Sequence, residues 1–70
     1  MNYPYTDHRW HSAYQAVCKR RDNESLQYVI EDCQNAIQAC PDNPKCEQYA
    51  DEIHYCAMEL SKRRRERGSA

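Results

Sequence analysis

Residues 33–56 read CQNAIQACPDNPKCEQYADEIHYC, from Cys33 to Cys56, and hold four of the chain's five cysteines. The centre of this stretch, Pro41-Asp42-Asn43-Pro44, is its only break. Proline removes a backbone donor and biases the residue before it away from helix. Asn43 followed by Pro44 reads as a cap with proline at the first helical position. Apolar residues recur at helical spacing on both sides. Leu26, Val29, Ile30, Cys33, Ile37 and Cys40 fall within an arc of about 100°, the stripe of a core-facing helix. Cys46, Tyr49, Ala50, Ile53, Cys56, Ala57 and Leu60 form a second stripe about 120° wide. A connection this short forces the two helices into an antiparallel hairpin.

Upstream, Thr6 or Asp7 is placed to cap a further helix. Trp10, Ala13, Tyr14, Val17 and Cys18 share one side of it, and Lys19, Arg20 and Arg21 suit the negative end of its dipole. The segment Arg21–Ser25, RDNES, supplies a turn and the next cap. The expected fold is all-α: an antiparallel helical hairpin plus an N-terminal helix, a small three-helix bundle. Helices are expected over about 7–20, 24–39 and 44–65, in one domain spanning 1–67, with 68–70 frayed. No run of about 18 apolar residues is present, so no membrane span is expected. The N-terminus, MNYPYTDHRW, lacks the basic start and apolar middle of a secretory signal.

The cysteines admit three readings. In the hairpin, Cys40 and Cys46 stand level across the loop. Cys33 and Cys56 differ in height by about three residues, or about 4.5 Å of helix rise. If the chain is oxidised, these two pairs are the expected disulfides. The nine residues between Cys46 and Cys56 are similar to one half of the twin pattern in the coiled-coil-helix proteins of the mitochondrial intermembrane space. The other pair, Cys33 and Cys40, has six residues between it where that pattern has nine. Metal binding lacks the close cysteine pairs of structural zinc sites. His8, His11 and His54 complete no ligand set, so neither metal nor cofactor is expected. The preferred reading is five reduced thiols in the core, since free cysteine is among the most buried residue types.

The net charge of −1 conceals three blocks. Lys19–Arg21 are basic, residues 22–61 carry nine acids against one base, and residues 62–67, KRRRER, are basic again. Lys62, Arg63, Arg64, Arg65 and Arg67 are candidate anion contacts. A salt-sensitive nucleic-acid contact through this tail is one alternative, although the acidic middle repels phosphate. Tyr28 and Tyr55 fall opposite the apolar stripes, with Met58 nearby, and are the candidate interface.

A chain of 70 residues buries little surface, and small domains usually recruit disulfides, a metal or a partner subunit. No nucleophile–base arrangement can be read from spacing, so no catalytic residue is expected. The expected role is a cytoplasmic, non-catalytic protein–protein interaction module, regulatory or accessory, acting as a homodimer and on another protein. A disulfide-stapled hairpin of an oxidising compartment, such as the mitochondrial intermembrane space, is the second expectation. A nucleic-acid-associated regulator is the third.

Overall fold

The computed structural model describes residues 5–68. They form three helices, α1 (His8–Arg20), α2 (Asn23–Ala39) and α3 (Cys46–Gly68). Among the described residues there is no strand. The expected three-helix, all-α class is what the chain adopts. Residues 1–4 of the expected domain, and Ser69 and Ala70 of the expected frayed tail, lie outside the described residues.

Local chemistry starts each helix. Asp7 caps α1 by accepting the Arg9 N–H at 2.9 Å, and its carboxylate also holds the Arg9 guanidinium at 2.6 Å. Asp22 caps α2 through the Ser25 N–H at 2.8 Å. Both carboxyls lie below their usual range because these donors favour the charged form. Asn43 does accept a capping bond, from the Lys45 N–H at 2.8 Å. The helix itself starts at Cys46, not Pro44, because residues 44 and 45 form a turn closed by the Cys46 N–H on the Asn43 carbonyl. At its far end α3 continues past Arg65 to Gly68, since no breaker precedes that glycine.

The chain runs up, down and up, so α1 and α3 are parallel. Tyr5 meets Asp51, His11 meets Tyr55, and the α1–α2 turn meets Arg63. α3 is the common partner: α2 packs along it extensively and α1 less so. The fold measures 43 × 26 × 14 Å, wide but thin. A thin layer covers little, and full burial reaches few apolar residues: Cys18, Leu26, Cys33 and Cys56. Tyr14, Val29, Ile30, Tyr55 and Leu60 pack around this core while partly exposed.

Two expectations about burial are corrected here. The five cysteines are not all core residues: Cys40 is exposed and Cys46 only half-buried. The stripe expected on α3 buries along one edge only, through Cys56, with Tyr49 and Leu60 half-buried beside it. Ala50 and Ala57 are exposed and Ile53 is half-buried, whereas Tyr55, Glu52, Glu59 and Arg63 are partly covered. The cause is geometric, since a helix flanked by two others turns the bisector between them inward. That bisector differs from the apolar maximum by about 60° at 100° per residue.

Candidate functional site

The chemistry-bearing side chains gather along the seam between α1 and α3. At its middle, the sulfurs of Cys18 and Cys56 lie 3.8 Å apart in the buried core. The Tyr14 hydroxyl stands 3.7 Å from the Cys56 sulfur. Burial pushes the Cys18 thiol up to about 12, and the nearby Cys56 adds to this. Burial also raises the Tyr14 phenol, with the Cys56 contact second. Cys33 is raised to about 11, again chiefly by burial. These thiols are therefore protonated at neutral pH and weak nucleophiles.

Above the thiols lies a cluster of rings. Trp10 stacks on Tyr14 with centroids 5.1 Å apart and planes 6° from parallel. Tyr5 meets Trp10 edge to face at 5.2 Å. His11 bridges the helices: its Nε2 lies 3.1 Å from the Tyr5 carbonyl and its Nδ1 2.9 Å from the Tyr55 hydroxyl. A carbonyl only accepts, so Nε2 carries a proton. In the neutral ring Nδ1 then accepts from the Tyr55 hydroxyl. The Tyr5 hydroxyl donates to the Asp51 carboxylate, which raises the Tyr5 phenol to about 12.

At the lower end, Arg63 clamps the place where α1 ends. Its guanidinium donates to the carbonyls of Cys18 and Lys19, each at 3.2 Å, and of Arg21 at 2.6 Å. It also reaches the Asn23 side chain at 2.8 Å and Glu59 at 3.0 Å. α1 closes without a left-handed cap, and no described residue has positive φ. The terminal carbonyls of a helix need partners, and Arg63 supplies them from a distant segment. The sequence reading placed Arg63 among anion contacts; its donors are spent inside the fold.

The other basic residues do not form one patch, because consecutive helical residues point about 100° apart. Lys62 and Arg65 border a groove with Lys19, Gln15 and Cys18 on the α1 side. Arg64 and Arg65 border a depression with His54 and Met58, while Arg67 lies toward Asn23 and Gln27. Of the candidate interface residues, Tyr28 and Met58 are 68% and 55% exposed. Tyr55, in contrast, is turned into the α1 seam. It lies off the apolar stripe as expected, yet that side is where α1 docks.

The expected cysteine pairs fare differently. Cys46 and Cys40 do meet across the loop, where the Cys46 thiol donates to the Cys40 carbonyl at 3.3 Å. The sulfur against Cys56 is Cys18, not Cys33. Cys18 falls outside the two expected pairs. Only its place on the stripe with Tyr14 marked it as inward-facing. Among the described residues, no group of three or more histidines, cysteines, aspartates or glutamates is placed to hold a metal ion. No helix of the described residues is long and apolar enough to cross a membrane. No family model, curated protein or solved structure matches this chain.

Proposed function

We propose that the protein is a non-catalytic helical interaction module that works as a homodimer and presents the paired bundle to another protein. The observation that carries this reading is the uncovered part of the α3 stripe. Ala50 and Ala57 are exposed, and Cys46 and Ile53 are half-buried between and beside them. At 100° per residue these four lie within an arc of about 60°. An apolar arc on a core-facing helix is normally buried against another element, and among the described residues none covers Ala50 or Ala57. A second copy is the occupant that the size of the chain favours, since domains this small usually recruit further burial.

In this reading the small side chains of Ala50 and Ala57 allow close approach, and Ile53 and Ile37 supply apolar area. Charged groups around them set orientation, because exposed pairs contribute only about 0–1 kcal/mol each. The five free thiols suit a reducing compartment such as the cytoplasm. Light scattering on the reduced protein tests the proposal. A mass about twice the 8.4 kDa chain is expected. Ala57→Glu, at an exposed helical position, should return it to the chain mass with helicity unchanged. A wild-type monomer at all concentrations would refute the reading.

A further inference from the structure

We propose that Cys18 and Cys56 are a dithiol that closes into a disulfide by exchange with a small anionic disulfide, joining α1 covalently to α3. The inference is independent of self-association, since both sulfurs lie inside one chain. Three observations support it. The sulfurs are in contact at 3.8 Å and come from different helices. A bond of about 2.05 Å requires them to approach by under about 2 Å, within reach of side-chain rotation and slight helix movement. Finally, Cys18, itself only 1% exposed, borders a groove of about 160 Å³ whose rim carries Lys19, Lys62 and Arg65 against the single acid Glu59. A local opening of the α1 seam brings its sulfur to that groove. Cys56 does not line it, so the groove gives the two thiols different roles.

The chemistry follows from that asymmetry. Cys18 loses its proton, and its thiolate attacks one sulfur of the incoming disulfide RSSR. The S–S bond breaks, RS⁻ leaves, and a mixed disulfide Cys18–S–S–R remains. Cys56, deprotonated in turn, attacks the Cys18 sulfur and expels the second RS⁻. The two thiols have then given up two electrons, and their two protons end on two molecules of RSH. The positive rim favours a reagent with carboxylates, of which glutathione disulfide is representative. Because burial holds the Cys18 thiol high, the thiolate fraction and the rate rise about tenfold per pH unit over the neutral range.

The test uses the full chain carrying Cys40→Ser and Cys46→Ser, which removes the loop pair and leaves the seam intact. The reduced protein is incubated with glutathione disulfide between about pH 7 and 9, alkylated, weighed intact and mapped by peptides. The expected product has lost two hydrogens, retains no glutathione, links the Cys18 peptide to the Cys56 peptide and leaves Cys33 alkylated. Its thermal midpoint should rise by roughly 10 °C or more. A bridge through Cys33, a glutathione adduct left on Cys18 with Cys56 free, or alkylation of both overturns the proposal. For the groove, Lys19→Gln with Lys62→Gln should slow glutathione disulfide about threefold or more and leave the uncharged hydroxyethyl disulfide unaffected. Equal rates before and after would overturn that entry route.

Discussion

The two seams of α3 are built differently. Its contact with α2 is long and aliphatic, through Leu26, Val29, Ile30 and Leu60 around the core. The one side-chain hydrogen bond described between those helices is Arg63 to Asn23. Its contact with α1 is shorter and directional, with His11 on Tyr55, Tyr5 on Asp51, Tyr14 on Cys56 and Arg63 on three carbonyls. Apolar burial is non-directional and insensitive to pH. Hydrogen bonds need matched protonation states and fixed geometry, and each contributes only about 1 kcal/mol net. The hairpin is thus the stable half of the molecule, and α1 is the half that chemistry can loosen or lock.

The sharpest way to break this contrast is at Leu26, the largest fully buried side chain. Leu26→Ala should cost about 3 kcal/mol, most of what a chain this small can hold. Urea denaturation followed by circular dichroism should show all three helices lost together. Retention of a native α2–α3 hairpin at full stability would contradict the role assigned to that seam.

Arg63→Ala should cost about 1–2 kcal/mol, because it strips partners from the end of α1. Its neighbour in the same method sets the scale: Arg64→Ala, at an exposed position, should cost under about 0.5 kcal/mol. Hydrogen exchange gives the spatial test, with α1 amides speeding up while those of α2 stay protected. Similar effects at Arg63 and Arg64 would mean that the clamp contributes nothing.

Alkali should separate the seams without mutation. Tyr5 is raised from 10.0 to about 12 and Cys18 from 9.0 to about 12. Both groups are neutral when protonated, so the folded state holds protons that the unfolded chain releases. Stability is complete below about pH 9 and falls as pH rises through about 9–12, where the unfolded state binds fewer protons. Phenol and thiolate absorbance should shift together with release of α1. Flat stability from pH 9 to 12 would remove the polar seam from the account. At the acid end the sign reverses. Asp7 and Asp22 are depressed, so their capping contributions are present above about pH 4 and lost below it.

Tyr28→Ser marks the smallest effect. The side chain is 68% exposed, so the change should alter stability by under about 0.5 kcal/mol. A larger loss in thermal unfolding, especially one that depends on protein concentration, would place Tyr28 in a contact between copies.

Much of the hairpin was legible because its signals are local. Asp7 and Asp22 stand immediately before their helices, and both helix α2 and the loop end within a residue or two of the proline signals at 41 and 44. Leu26 and Cys33 also lie where the α2 stripe puts them. The candidate site was less legible. Tyr55 reads as an outward residue, Arg63 as an anion contact, and Cys18 as outside the expected pairs. Each acquires its partner across the seam of α1 with α3, 38 or more positions away by number: Tyr55 with His11, Arg63 with Arg21, Cys18 with Cys56.

The sequence by itself determined three helices, their approximate limits, the antiparallel α2–α3 hairpin and the absence of an apolar span in the described helices. These depend on capping bonds and on a period of about 3.6 residues, which act within a turn or two of the chain. The tertiary structure alone decided that α1 lies parallel to α3, which angle of α3 turns inward, and which two thiols meet. Those outcomes depend on how three helices share one small core. A rotation of α3 by about 60° exchanges Ala57 for Tyr55 at the buried face while leaving every local signal unchanged.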